Sequence, residues 1–197
     1  MKVIGITGGI GCGKSEVLKY LESLGAYIVE ADKLAHTLMK KGENVYKRII
    51  DEFGNDILAE NGEIDRQCFG EIVFNDESAL DKLNSIVHPA VKEYILNDID
   101  NKNADGNVDY YVIEAALLIQ DGYRDICDEI WYIYADKDTR LSRLVKGRGG
   151  DATKYESVMY NQETDDFYKV NSDVVIDNNG DFAVTQTALK VMLNKLI

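Results

Sequence analysis

KVIGITGGIGCGKS, residues 2–15, is the stretch that decides the fold of this 197-residue chain. Its first six residues are mostly apolar, as in a buried strand, and four glycines follow within residues 8–13 before Lys14 and Ser15. The pattern G-x-x-x-x-G-K-S between a strand and a helix lets the backbone curl, so that successive N–H groups face a phosphate. The N-terminus of the following helix adds its dipole. The stretch therefore predicts a phosphate loop for a nucleoside triphosphate.

The residue types within the loop predict separate roles. Lys14 would bridge the β- and γ-phosphates, and the Ser15 hydroxyl would ligate Mg²⁺. Cys12 has two interpretations: a helix N-terminus lowers the pKa of a thiol for redox chemistry, or a small side chain simply fits there. We expect ATP with Mg²⁺ to bind residues of the loop, namely Gly9, Ile10, Gly11, Cys12, Gly13, Lys14 and Ser15.

Apolar segments elsewhere in the chain predict the rest of the fold. They predict four more strands and two flanking helices: strands over 26–30, 109–114, 129–135 and 173–177, helices over 13–24 and 181–195. Strands that alternate with helices favour an α/β fold with a five-stranded parallel sheet, a three-layer sandwich. Residues 31 to about 104 contain no strand pattern and predict helices broken at Gly42, at Gly54 to Gly62 and near Asn75. This segment is predicted to be a substrate-covering insertion.

Charge and composition exclude several classes of function. The formal net charge of −13 opposes general binding to nucleic acid. No apolar run approaches the roughly 18 residues that cross a bilayer, and no signal-peptide pattern begins the chain. Three widely spaced cysteines indicate reduced thiols. We therefore expect a cytoplasmic protein with no nucleic-acid or membrane partner, either a monomer or a weak homo-oligomer.

Asp32 is the candidate for acid–base chemistry. The second strand runs into Glu30-Ala31-Asp32, which places Asp32 at the carboxyl edge of the sheet, on the side of the phosphate loop. A carboxylate there can accept the proton of an acceptor hydroxyl and orient it towards the γ-phosphate. The alternative is that Asp32 caps the next helix, since Asp is a favoured N-cap residue.

Several blocks in fixed order carry a family resemblance. They are GITGGIGCGKS, GAYIVEADKLAH, FGNDILAENGEIDR (53–66), LNSIVHPAV (83–91) and SDVVIDNNG (172–180), with Leu117, Leu118 and Gln162 between the last two. Over nearly its whole length the chain resembles the dephospho-CoA kinase family. The resemblance implies a P-loop kinase fold and transfer of the ATP γ-phosphate to the 3′-hydroxyl of dephospho-CoA.

The resemblance also implies how the chain is divided and which residues act. It implies a core of about 1–30, 105–144 and 166–197, a helical acceptor-binding insertion of about 31–104 and a lid of about 145–165. Asp32 would be the catalytic base, and Lys14, Arg143 and Arg148 would serve the phosphates. Glu114 would reach Mg²⁺ through water, and Asn178 would contact the nucleotide. His88-Pro89 matches a family signature, although Pro89 could simply start a helix.

Departures from the family pattern are largest in the lid, and one further departure lies at Gln120. Gly147 stands where the family has an arginine, Arg148 follows it, and Gln120 replaces an acid. Arg143 and Arg148 are five residues apart, about 140° on a regular helix, so a regular helix cannot aim both at one phosphate. We therefore expect the helix to end near Lys146. Two other functions stay open: a different small-molecule P-loop kinase of nucleoside monophosphate type, and a nucleotide-binding protein with little transfer activity.

Overall fold

Five strands form one sheet. They are β1 (Lys2–Thr7), β2 (Tyr27–Glu30), β3 (Tyr110–Glu114), β4 (Glu129–Tyr134) and β5 (Val174–Asp177). Their order is β2-β3-β1-β4-β5, and β1 is parallel to both β3 and β4, as β5 is to β4. The predicted α/β fold with a five-stranded parallel sheet is confirmed. Each predicted strand lies within one residue of its observed bounds.

The computed structural model describes residues 1–149 and 151–196, with helices between and after the strands. These are α1 (Lys14–Ser23), α2 (Ala31–Leu38), α3 (Asn44–Phe53), α4 (Arg66–Asn75), α5 (Glu77–Asp105), α6 (Lys137–Arg148), α7 (Ala152–Tyr160), α8 (Asp165–Val170) and α9 (Phe182–Leu196). Short 3₁₀ turns occupy Asn55–Ile57 and Tyr123–Asp125. In the described ranges, no helix is both long and apolar enough to cross a lipid bilayer.

Both faces of the sheet are buried, because side chains of one strand alternate between two apolar layers. One layer joins the strands to α1 and α9 through Ile4, Ile6, Val17, Leu21, Trp131, Ile133, Leu189 and Leu193. On the other face, the ring of Tyr132 stacks on Tyr168 of α8, with centroids 4.9 Å apart. A Cβ on Gly5 would lie 3.0 Å from Cys127 Sγ, so the close packing at this position favours glycine. These layers hold the carboxyl end of β1, where the phosphate loop begins.

The chain divides into two compact units, Met1–Val29 with Lys102–Ile197, and Glu30–Asn101. The second unit is helical, and its helices break at the predicted places, around Gly42, between Gly54 and Gly62, and after Asn75. The Asp65 carboxylate caps α4 by accepting the backbone N–H groups of Gln67 and Cys68. The predicted role of residues 31–104 in binding an acceptor stays a prediction.

Pro89 corrects one interpretation of the sequence. It lies inside the 29-residue helix α5 and does not start a helix. A proline there removes one helical hydrogen bond, because its nitrogen has no hydrogen to donate. The helix continues through Pro89 because apolar side chains on both sides of it are buried, among them Ile86, Val87, Val91 and Ile95.

Candidate functional site

The backbone of the phosphate loop is shaped by glycine. Gly11 and Gly13 have φ angles of +81° and +95°, which only glycine adopts without strain. The Cys12 N–H donates to the Gly9 carbonyl oxygen at 3.3 Å, which tightens the turn ahead of α1. The loop therefore leads directly into a helix N-terminus, the position at which backbone N–H groups and the helix dipole attract phosphate.

Lys14 folds back over this loop. Its Nζ donates to the Gly8 carbonyl oxygen at 2.7 Å and lies 3.7 Å from Glu114 Oε1 at the end of β3. Both side chains are mostly buried, with 18% and 12% of their surface exposed. A cation held by one carbonyl and one carboxylate beside a helix N-terminus is suited to meet the oxygens of a polyphosphate.

A cavity of about 750 Å³ opens beside the loop. Its lining includes backbone of the loop, Lys14, Ser15, Glu114 and the helix residues Arg143 and Gly147. Ser15 is exposed there, and its hydroxyl together with the Glu114 carboxylate supplies the oxygen ligands that Mg²⁺ prefers. No cluster of three or more His, Cys, Asp and Glu side chains suited to a metal ion occurs among residues 1–149 and 151–196. The Ser15 hydroxyl and the Glu114 carboxylate fit Mg²⁺, because this ion usually takes one or two protein ligands and completes its shell with phosphates and water.

Cys12 belongs to the packing of the loop. Its side chain is 1% exposed. Burial raises the pKa of its thiol, against the opposing effect of the Lys14 charge. A thiol that stays protonated is a poor nucleophile, so the structure favours the packing interpretation over the redox one.

Asn178 and Arg143 support the loop at the Cys12 carbonyl oxygen. The Asn178 Nδ2 donates to that oxygen at 2.8 Å, and the Arg143 Nη1 lies 3.5 Å from it. Asn178 is 1% exposed, and its Oδ1 accepts from the Thr185 hydroxyl at 2.8 Å. Its amide thus faces the loop, and direct contact with a nucleotide stays a prediction. Arg143 lines the cavity, and its contact with phosphate stays a prediction.

Two residues that the sequence did not assign to the site also hold the loop. Arg140 Nε donates to the Ile10 carbonyl oxygen at 2.8 Å, and Gln162 Oε1 accepts from the Ile10 N–H at 2.9 Å. Gln162 entered the sequence argument only as part of a family block, and Arg140 was not among the predicted site residues. Helical spacing was the available signal, because Arg140 and Arg143 are three residues apart and so share one face of α6.

The predicted end of the arginine-bearing helix is wrong by two residues. Helix α6 continues past Lys146 to Arg148, and Gly149, with φ +66°, ends it. Gly149 can adopt this left-handed angle because it has no Cβ, so the break falls at Gly149. The side chain of Arg148 lies outside the described residues, and its predicted role stays a prediction.

Asp32 lies in the unit Glu30–Asn101. It is the second residue of α2, and the N-cap position belongs to Glu30, so the capping interpretation of Asp32 is wrong. Its side chain is exposed and makes no hydrogen bond or ion pair with the described residues of its own unit. A carboxylate without such partners remains able to accept a proton from a bound hydroxyl.

Comparisons with known proteins find relatives that match nearly the whole chain. A family model described as dephospho-CoA kinase matches residues 2–183. The dephospho-CoA kinase of Carboxydothermus hydrogenoformans is 35% identical over 195 residues, which cover 99% of this chain and 94% of that protein. Among solved structures, TT1252 from Thermus thermophilus has a TM-score of 0.81 at 26% identity, covering 100% of this chain and 98% of that one. Dephospho-CoA kinase from Campylobacter jejuni has a TM-score of 0.74 at 24% identity, with the same coverage, and supports the fold.

Proposed function

Since this chain belongs to the dephospho-CoA kinase family, we propose that it transfers the γ-phosphate of ATP to the 3′-hydroxyl of dephospho-CoA, giving coenzyme A and ADP. The observation that carries this proposal is the family match over residues 2–183. An intact phosphate loop, with Lys14 and Ser15 beside an open cavity, supports it.

The phosphate loop and Lys14 bind and orient the nucleotide. Backbone N–H groups at the start of α1 surround the β-phosphate, and the Lys14 ammonium leaves the Gly8 carbonyl oxygen to meet the β- and γ-phosphate oxygens. Glu114, whose Oε1 lies 3.7 Å from the Lys14 Nζ, helps to aim the ammonium. Because the backbone N–H groups are already in place, the Lys14 ammonium is the group that has to move when the nucleotide binds.

Magnesium would be held by the Ser15 hydroxyl, with Glu114 binding through water. Bound there, the ion neutralises negative charge on the phosphate oxygens. The protein's own contribution is the direction of these two oxygen ligands into the cavity.

Asp32 would act on the acceptor. The 3′-hydroxyl oxygen forms a bond to the γ-phosphorus, the bond between that phosphorus and the β–γ bridging oxygen breaks, and the hydroxyl proton passes to the Asp32 carboxylate. Phosphoryl transfer has a loose transition state, so Asp32 mainly positions the hydroxyl and receives its proton late. The Asp32 carboxylate lies in the first turn of α2 and makes no hydrogen bond or ion pair with the described residues of its own unit, which supports this assignment.

The remaining assignments follow the family pattern. Arg143 would contact the phosphates from α6, and Arg148 would join it when a lid of about 145–165 closes. Residues 31–104 would hold the pantetheine-bearing acceptor, and Asn178 would contact the nucleotide from behind the loop. The protein would act in the cytoplasm, without a nucleic-acid or membrane partner, as a monomer or weak homo-oligomer.

A coupled assay of ADP release against a panel of acceptors tests the proposal. We expect ADP release to depend on dephospho-CoA and to stay near background with nucleoside monophosphates. A nucleoside monophosphate that supports faster turnover than dephospho-CoA would instead identify a different small-molecule kinase. Nucleotide binding without acceptor-dependent turnover would identify a binding protein.

A further inference from the structure

Ile10, in the phosphate loop, has both of its backbone polar groups bound by side chains from distant parts of the chain. Its N–H donates to Gln162 Oε1 at 2.9 Å, and its carbonyl oxygen accepts from Arg140 Nε at 2.8 Å. The Arg140 Nη2 donates to the same Gln162 oxygen at 2.9 Å. Three hydrogen bonds therefore connect three residues in a closed set, the Ile10 junction (Ile10, Arg140 and Gln162).

The guanidinium of Arg140 is buried in this junction. The residue is 8% exposed, and a Cβ on Gly9 would lie 2.3 Å from its Nη2, so the guanidinium rests directly on the loop. A buried charge needs hydrogen-bond partners, and here the partners are a carbonyl and an amide oxygen. Its Nη1 lies 4.0 Å from Asp165 Oδ1, and that oxygen also accepts the Tyr132 hydroxyl at 2.6 Å.

The junction also fixes both ends of one segment to the loop. Arg140 belongs to α6, whereas Gln162 follows α7, so the residues between them leave the loop and return to it. We propose that Arg140 and Gln162 are positioning residues that hold the phosphate loop in its nucleotide-binding shape and attach both ends of the α6–α7 segment to it.

Arg140 and Arg143 differ in what their side chains contact. Two of the three guanidinium nitrogens of Arg140 are bonded within the junction, while Arg143 lines the 750 Å³ cavity. Arg140 therefore acts through the Ile10 backbone, and Arg143 faces the phosphates. A loop held in shape in advance loses less conformational freedom when the nucleotide binds, so the junction strengthens nucleotide binding generally.

Calorimetric titration with ADP and with a non-hydrolysable ATP analogue tests this inference, which rests on the proposed function only in that the loop binds a nucleotide. The variants are Arg140→Ala, Gln162→Ala, the double variant and Gln162→Glu, whose carboxylate still accepts from both donors. Arg124→Ala is the matched control, because it removes an arginine paired with Asp173 outside the loop. A thermal melt of each variant reports folding.

We expect each alanine variant to weaken ADP binding about tenfold to hundredfold, the range for a lost hydrogen bond to a charged group. The double variant should match the weaker-binding single variant, because both changes break one network. Gln162→Glu should bind within about threefold of the unaltered protein, and ADP and the ATP analogue should lose affinity equally, since a supporting contact does not distinguish the γ-phosphate.

Three results would overturn the inference. The first is a double variant in which the two losses of ADP affinity multiply, and the second is a Gln162→Glu variant that binds ADP as weakly as Gln162→Ala. The third is an Arg140→Ala variant that loses affinity for the ATP analogue but not for ADP. The last would make Arg140 a γ-phosphate ligand. If Arg140→Ala does not fold, the two Gln162 variants decide alone. Failure of the unaltered protein to bind ADP would overturn the proposed function together with this inference.

Discussion

The phosphate loop and the segment from Lys137 to Asp165 border the same cavity but are built in different ways. Neighbouring residues shape the loop: Gly11 and Gly13 have positive φ angles, and the Cys12 N–H bonds the Gly9 carbonyl oxygen. The segment reaches the loop through side chains, at sequence separations of 130 to 152 residues. On the proposals above, the backbone N–H groups and Lys14 of the loop bind phosphate, and the segment holds the loop in shape. Changes in the loop should remove function, and changes in the segment should reduce it by degrees.

Lys14→Ala should have the largest effect. Removal of one preorganised charge-stabilising donor costs about 10²- to 10³-fold in rate, and Lys14 serves both binding and transfer, so we expect a loss of about 10³-fold or more. Steady-state kinetics with ATP and dephospho-CoA measure it, and the melting temperature should stay close to that of the unaltered protein. Turnover that survives in this variant would refute the role of the loop.

Asp32 lies in a third region, the unit Glu30–Asn101. Asp32→Asn should lower the rate of transfer without changing nucleotide binding. General acid–base catalysis contributes about 10²- to 10⁴-fold, so we expect kcat to fall about 10³-fold while ATP binding is unchanged. Rapid-quench measurement of the chemical step, with calorimetry for ATP, separates the two. A parallel fall in stability, or a rate that barely changes, would show that Asp32 has a structural role.

Arg143→Ala tests the segment directly. Because Arg143 faces the cavity from α6, we expect transfer to slow by about 10²-fold, less than in Lys14→Ala. Arg148→Ala, measured beside it, tests whether the second predicted arginine takes part. Normal kinetics for Arg143→Ala would mean that the segment supports the loop without contacting phosphate.

Paired glycine substitutions compare the two regions by stability. In Gly13→Ala the new Cβ would lie 2.3 Å from Asn178 Nδ2 at a φ of +95°. We therefore expect the free energy of unfolding to fall by about 2 kcal/mol or more, and nucleotide binding to be lost. In Gly147→Ala nothing lies within 4 Å of the new Cβ, and helix propensity favours alanine by up to about 1 kcal/mol. Chemical denaturation measures both. Equal destabilisation by the two changes would contradict the contrast.

The smallest expected effect concerns the Cys12 thiol, through its reactivity and its contribution to stability at high pH. Its pKa is raised by burial, so it stays protonated at neutral pH, and iodoacetamide should modify the partly exposed Cys68 much faster. The unfolded thiol ionises near pH 9 while the folded one does not, so its contribution to stability is present below that pH and falls above it. Mass spectrometry of the modified protein gives the rates. Preferential labelling of Cys12 would restore the redox interpretation.

The same contrast explains what the sequence could predict. Strand and loop residues such as Ile4, Gly13 and Lys14 act through spacing along the chain, which the sequence displays directly. The contacts of Arg140 and Gln162 depend on how α6 and the residues after α7 return to the loop. The spacing of Arg140 and Arg143 indicates a shared helix face, but it does not encode these contacts. The helix end was misplaced because Gly147 can stay helical, whereas Gly149 adopts a left-handed angle.

Identification of the product of one reaction tests the central claim most directly. The protein is incubated with ATP, Mg²⁺ and dephospho-CoA, and the products are followed by ³¹P NMR, with Lys14→Ala as the control. The account predicts a new phosphomonoester on the ribose 3′-oxygen that appears in step with ADP and is absent from the control. ADP and inorganic phosphate without that phosphomonoester, or phosphate on any other position, would contradict it.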